Sequence, residues 1–192
     1  MANEAVDTAL EVIDALDALG VPYFICGSLA AAARGMVRST ADADLIADLR
    51  PEHAESLAEA LGGRFYVDVE SIRYAIERRR SFNVVHLETM FKVDVFVSRP
   101  AGFDGSRFER RRPEKMLEHP ERHALVESAE DTILAKLRWF RLSDGNLARQ
   151  WEDAVRLIEI QGEELDVAYL DHWADELGLA DLLDRALAEG RG

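Results

Sequence analysis

Asp42 and Asp44 stand two apart in Asp42-Ala-Asp-Leu-Ile-Ala-Asp48, where acidic and apolar residues alternate. That period predicts a strand with both carboxylates on one face. Asp94 belongs to a second predicted strand, Phe91-Lys-Val-Asp-Val-Phe-Val97. There Val93, Val95 and Val97 face one way, and Lys92 and Asp94 the other. If the two strands are neighbours, three carboxylates converge with a lysine beside them. Carboxylates so close repel unless cations neutralise them. Magnesium suits the task, because it is hard, takes oxygen ligands and works with one or two carboxylates plus substrate phosphates. Two such ions can clamp the attacking and leaving oxygens of an in-line displacement. Upstream, Gly27-Ser28 reads as a strand-to-helix turn, where free amides and the Ser28 hydroxyl suit a phosphate.

Asp-x-Asp alone is common in an acidic chain, and the pair gains meaning from Gly27-Ser28 before it and Asp94 after it. Arg38 could pair with Asp42 or reach a phosphate. Asp131 reads as an acid favoured in a helix's first turn. Arg78-Arg79-Arg80 and Arg110-Arg111-Arg112 read as solvated faces; flanking a cleft, they would steer a polyanionic acceptor such as RNA. His119 and His123 make no zinc pair, since Pro120 lies between them. No Gly-x-Ser-x-Gly or Walker-type loop is present. Trp139, Trp151 and Trp173 sit among helical stripes, which assigns them to packing.

The elements that must position these residues follow from apolar periodicity. Val6, Ala9, Leu10, Ile13 and Leu16 predict a helix over 4–19 that stops at Gly20. A short strand spans 21–26, and an alanine-rich helix runs from Leu29 to Arg34. Residues 42–48 form the acidic strand, and Pro51 opens a helix to 61. Phe65–Val69 reads as a strand, Ile72–Arg79 as a helix, and 82–87 and 91–97 as strands joined at Glu88-Thr89-Met90. Residues 98–106 read as a loop, and His123–Val126 as an added edge strand. From Ser128, which with Asp131 resembles a capping box, the chain turns helical, with helices over 166–177 and 179–189 at its end. The layout is a mixed α/β half to about residue 126 and a helical half after it.

The chain carries 23 basic and 37 acidic residues in 192, a net charge of −14. Its pI near 4.8 excludes a generic nucleic-acid coat protein. The charge is uneven: residues 73–115 are net +5 and residues 143–192 net −9. The one cysteine, Cys26, fits a reducing compartment. With no signal peptide or long apolar run visible, the expectation is a cytoplasmic protein without a membrane partner.

Gly27-Ser28, Arg38-Ser-Thr40-Ala-Asp42-Ala-Asp44-Leu45 and Lys92-Val-Asp94 together resemble the nucleotidyltransferases of the DNA polymerase beta superfamily. Glu130-Asp131-Thr-Ile-Leu-Ala-Lys136-Leu-Arg-Trp139 and Gln150-Trp-Glu-Asp153 resemble, more narrowly, the bacterial AbiEii-type group, which includes toxins of type IV toxin–antitoxin systems. The resemblance covers roughly residues 20–160. It implies an α+β fold, with a nucleotidyltransferase-like mixed β-sheet flanked by helices over 1–126 and a C-terminal helical bundle over 127–192 packed on that core. It implies Gly27, Ser28, Lys92, Lys136 and Asp153 as nucleotide-binding residues. Asp42, Asp44 and Asp94 become catalytic residues and ligands of two Mg2+ ions, and Asp94 also helps deprotonate the acceptor. The substrate would be a nucleoside triphosphate such as ATP. The acceptor hydroxyl would belong to an RNA end, a protein or a small molecule such as an antibiotic, the resemblance favouring the first two, and a toxin member would have an antitoxin protein as partner. Gln150 replaces the first acid of the group's Asp-x-x-Asp motif, which leaves room for a non-catalytic nucleotide-binding or partner-binding module on the same fold. On their own residues, Asp153 reads equally as a solvated helix position and Lys136 as a snorkelling side chain. The chain uses Arg for 20 of its 23 cations, yet two of its three lysines fall at Lys92 and Lys136. Lysine suits a single phosphate oxygen, whereas arginine favours a planar fork.

Overall fold

A computed structural model describes residues 2–36 and 42–191, so Arg38 lies outside the described residues. The chain divides into two compact units, one of residues 1–29 and 38–127, the other of residues 30–37 and 128–192.

The first unit opens with α1 (Ala2–Ala18), whose Ala9, Leu10, Ile13 and Leu16 form a buried stripe. Strand β1 (Tyr23–Cys26) leads directly into α2 (Gly27–Ala33), and β2 (Asp42–Ala47) follows. A 3-10 turn at 51–53 precedes α3 (Ala54–Leu61). Next come β3 (Phe65–Tyr66), α4 (Val69–Arg78), β4 (Ser81–His86) and β5 (Lys92–Val97). Helix α5 (Gly102–Arg110), β6 (Arg112–Glu118) and β7 (Glu121–Val126) complete the unit. The strands form one mixed sheet in the order β3-β4-β5-β2-β1-β7-β6. Its centre is the parallel pair β2/β5, flanked by antiparallel β4 and β1, with β7 parallel to β1.

The two faces of the central strands differ. Ala43, Leu45 and Ala47 of β2 and Val93, Val95 and Val97 of β5 are buried, on the face where α1 and α4 approach these strands. On the other face, Phe24, Ile46 and Phe108 pack with Cys26, with Phe96 and Leu125 against them. Phe24 and Phe108 meet edge to face, 4.9 Å between ring centroids. Removing each such side chain from water contributes about 1.5–3 kcal/mol.

Three sequence expectations need correction. The 98–106 stretch is a loop only to Ala101, because α5 begins at Gly102 and turns Phe103, Arg107 and Phe108 inward. Residues 65–69 give a two-residue strand, and α4 starts at Val69, three residues earlier than expected, with the Asp68 carboxylate accepting from the Ser71 amide at 2.8 Å. The strand ending at Val126 is not an edge. Strand β7 lies between β1 and β6, and the edge is β6, whose exposed charges and Pro113 discourage further pairing.

In the second unit, α6 (Ala129–Leu142), α7 (Ala148–Gln161), α8 (Val167–Leu177) and α9 (Ala180–Gly190) are all helices. Ser128 caps α6 by accepting from the Asp131 amide at 3.1 Å. The Ser128 hydroxyl also donates to the Asp131 carboxylate at 2.8 Å, so the reciprocal bond of a full capping box is replaced by a side-chain pair. Trp151 is buried against Phe140, but Trp139 is half exposed. It sits two positions past Leu137 and off the buried stripe of α6, so the packing expectation fails there. Among the described residues no helix is long and apolar enough to cross a membrane.

Candidate active site

The register of the central strands composes the site. Asp42 pairs with Lys92, and Asp44 with Asp94, across β2/β5. Cys26 of β1 lies opposite Asp44, and Asn83 of β4 opposite Asp94. One step further along the same face, Phe24, Ile46 and Phe96 are cross-strand partners. The face is therefore polar at one end and apolar at the other. Helix α5 seals the apolar end through Phe108, while Asp42 and Lys92 keep 42% and 39% of their side chains in solvent.

Gly27 closes the site from the side of β1. Its φ is +66°, a conformation that L side chains rarely adopt. A Cβ on Gly27 would also run into the Asp44 carboxylate, with its Cγ at 3.1 Å. Glycine is thus required twice, by backbone conformation and by the approach of an acid. Ser28 follows, half buried, in the first turn of α2. Seven residues give α2 little macrodipole, so free amides and a hydroxyl are what this turn offers an anion.

Lys92 bridges the acids, its Nζ 2.7 Å from Asp94 and 4.0 Å from Asp42. The hydrogen bond to Asp94 raises the Lys92 pKa, ahead of the opposing effect of burial. Asp44 lacks such relief. Burial first, then the charges of Asp42 and Asp94, push its carboxyl up to about 7, although Lys92 pulls the other way. Asp94 Oδ1 is buried without a hydrogen-bond partner. Among the described residues no three His, Cys, Asp or Glu side chains are already gathered as a set that would hold a metal ion. The ammonium of Lys92 occupies the place between two of these acids that a cation would take. The donor chemistry nevertheless fits magnesium: hard carboxylate oxygens, one of them orphaned, and an acid whose pKa is raised by burial and by the neighbouring carboxylates.

Two further residues support the site, and sequence reasoning missed both. Glu127 is fully buried and accepts the Gly27 amide on Oε1 at 3.3 Å. Its Oε2 takes Arg107 Nε at 3.2 Å and Nη2 at 2.5 Å. Arg107 also donates to Asp104 at 3.1 Å, and its guanidinium lies 4.9 Å from the Phe24 ring and 5.5 Å from that of Phe103. Burial disfavours the Arg107 charge, but Glu127 and the other acids nearby outweigh it and push its pKa up. Asn83, facing Asp94 across the strands, was also passed over; a period-two reading of β4 would have found it.

Lys136 and Asp153 belong to the second unit. They form a buried ion pair between α6 and α7, 2.7 Å from Nζ to Oδ2. Asp153 is therefore not a solvated helix residue. Asp131 is buried too and accepts the Tyr169 hydroxyl at 2.6 Å, which goes beyond a dipole contact. Of the cations of 73–115, Arg107 is buried and several others have partners within the chain, while Arg73, Arg78, Arg79, Arg80, Arg99, Arg112 and Lys115 are exposed. Arg73 pairs with Glu55 and Glu70, Lys92 with Asp94, Arg107 with Glu127, and Lys115 with Glu118. Arg111 and Arg112 donate to the backbone carbonyls of Phe108 and Glu109.

No protein-family model and no curated protein matches this sequence. In structure, the chain is similar to the antibiotic-resistance factor ANT(2'')-Ia, whose solution structure revealed substrate-regulated conformation dynamics. That likeness has a TM-score of 0.61 and 16% identity over 96% of this chain and 99% of the other. The chain is also similar to an antigenic nucleotidyltransferase-like protein from Paracoccidioides brasiliensis, with a TM-score of 0.55 and 16% identity over 97% and 93% of the two chains. Together with the mixed seven-stranded sheet, these likenesses establish that the chain has a nucleotidyltransferase-like fold.

Proposed function

We propose that this chain is a magnesium-dependent nucleotidyltransferase that moves a nucleoside monophosphate from a nucleoside triphosphate to an acceptor hydroxyl. The observation that carries the reading is the strand register that sets Asp44 beside Asp94 and Asp42 beside Lys92, with the Gly27 turn against Asp44. Asp42, Asp44 and Asp94 would hold magnesium, which when bound neutralises phosphate charge and aligns the attacking and leaving oxygens. Ser28 and Lys92 hold the triphosphate. The acceptor oxygen attacks the α-phosphorus as the bond to the β-phosphate breaks, and pyrophosphate leaves. The acceptor's proton passes to Asp94, whose Oδ1 has no competing partner. The rest of the catalysis is positioning and charge neutralisation. We read residues 1–126 as the catalytic core and 127–192 as its helical region, with Lys136 and Asp153 serving the nucleotide.

The acceptor is read as a hydroxyl of an RNA end, a protein or a small molecule. Similarity to an antibiotic-resistance factor supports the small molecule, whereas the motif resemblance favours an RNA end or a protein. The narrower reading, a cytoplasmic AbiEii-type toxin with an antitoxin partner, rests on the motif resemblance alone. It predicts growth arrest on expression in bacteria, relieved by Asp44→Asn; unimpaired growth contradicts it. Gln150 supports the rival reading of a non-catalytic nucleotide-binding module.

A thermal-shift panel of the four nucleoside triphosphates, each with and without magnesium, tests the proposal. At about 100 times its dissociation constant, the right triphosphate stabilises the fold by about 2.7 kcal/mol. We expect a shift that needs magnesium and disappears in Asp44→Asn. No magnesium-dependent shift with any triphosphate contradicts the reading, and a shift without turnover on any acceptor class supports the rival.

A further inference from the structure

We propose that the buried Arg107–Glu127 ion pair is a positioning device that fixes the Gly27 turn against Asp44 and so sets the geometry of the acid cluster. The inference rests on the proposed function for its ligand and on geometry for the rest. Glu127 divides its carboxylate between two tasks. One oxygen holds the Gly27 amide at 3.3 Å, and the other is taken twice by Arg107, at 3.2 and 2.5 Å. Glu127 is 0% exposed and Arg107 6%, so neither charge is solvated and each depends on the other. The Glu127 amide in turn donates to the Ile25 carbonyl at 3.1 Å, which ties the end of β7 to β1 just before the turn.

The device reaches further through Asp104. Arg107 Nη1 donates to Asp104 Oδ1 at 3.1 Å, and the Ser98 hydroxyl donates to Asp104 Oδ2. Ser98 follows directly on β5, the strand that carries Lys92 and Asp94. A continuous polar chain thus runs from the end of β5 through α5 to the amide of Gly27, and it connects the strand of one acid to the turn that abuts another. Phe24 and Phe103 flank the guanidinium and limit its freedom to turn away. With the Gly27 amide already given to Glu127, it is not available to a phosphate, and the turn offers the Ser28 hydroxyl and the amides that follow. A buried carboxylate beside Gly27 also adds negative charge next to the acid cluster, and Arg107 is what offsets it for an incoming triphosphate.

The test uses the full chain and magnesium tripolyphosphate, which probes the phosphate site without a base. Two readouts are taken at 25 °C for the wild type, Glu127→Gln, Arg107→Met and Asp104→Asn: hydrogen exchange of the Gly27 amide, and the dissociation constant of the probe. Loss of a charge-assisted contact predicts about tenfold faster Gly27 exchange and about tenfold weaker binding in Glu127→Gln and Arg107→Met, with about threefold effects in Asp104→Asn. Asp104→Asn removes only the outer link, so it keeps the test alive if the buried variants do not fold. A pair with a purely structural role lowers Tm but leaves both site readouts in place; unchanged Gly27 exchange and an unchanged dissociation constant overturn the proposal. Faster exchange with unchanged binding overturns its ligand half. A wild type that binds no magnesium tripolyphosphate overturns the proposed function itself, and Gly27 exchange then decides the positioning role alone.

Discussion

Gly27 and Asp44 constrain each other, one held at φ +66° and the other approaching where a side chain would stand. Gly27→Ala therefore meets two penalties, backbone strain and collision with Asp44, and we expect a loss of about 1–3 kcal/mol in urea unfolding. Asp44 makes a prediction of opposite sign. Its carboxyl is raised to about 7, so between the ordinary carboxylate range near 4 and pH 7 the folded state holds a proton that the unfolded state has released. Folding stability therefore falls as pH rises through that window. In EDTA, Asp44→Asn should remove that slope and leave the variant more stable than the wild type at pH 8, by on the order of 1–3 kcal/mol. Urea midpoints at pH 4, 6 and 8 check it; a wild type that gains stability over this range relative to the variant contradicts the assignment. The acids were legible in the sequence because period-two alternation fixes which side chains share a face. Arg107 and Glu127 were not. Each reads as a surface charge, and each is buried only because a partner twenty residues away in sequence neutralises it.

At the scale of elements, α5 marks the limit of local reading. Two glycines and a run of polar residues suggested a loop over 98–106, yet a helix forms because Phe103 and Phe108 bury against the sheet with Arg107 between them. A charged residue inside a buried stripe breaks the apolar pattern on which helix recognition depends. Since Phe108 closes the apolar end of the functional face, Phe108→Ala should cost about 3–5 kcal/mol in chemical denaturation. A cost below about 1 kcal/mol would mean that α5 does not seal that face. The central strands, by contrast, were readable to within one residue, because β4 and β5 alternate in burial and β2 does so through Leu45. Strand β6 was not, since its residues are charged, it sits at an edge and its register slips between Lys115 and Leu117.

Across the whole molecule, the excess of acid is concentrated in residues 143–192, while residues 73–115 carry a net positive charge, part of it in ion pairs within the chain. The Lys136–Asp153 pair is the one charged contact buried between two helices of the second unit among those described. Lys136→Met strands a buried carboxylate and should cost about 3–5 kcal/mol, whereas Lys136→Met with Asp153→Leu should recover most of it; no recovery in the double variant contradicts a simple pairing role. The fold class was legible because Gly27-Ser28, Asp42-Ala-Asp44 and Lys92-Val-Asp94 resemble, in that order, the motifs of the nucleotidyltransferases. The acceptor was not, because it is chosen by surfaces that no local pattern records. The central claim is transfer of a nucleoside monophosphate, and isotope placement tests it most directly. The protein is incubated with cell extract, magnesium and triphosphates labelled at either the α- or the γ-phosphate. An acceptor labelled from the α-position alone is expected, with no labelling in EDTA or by Asp44→Asn. Label arriving from the γ-position, or no labelled acceptor with any of the four bases, would contradict it.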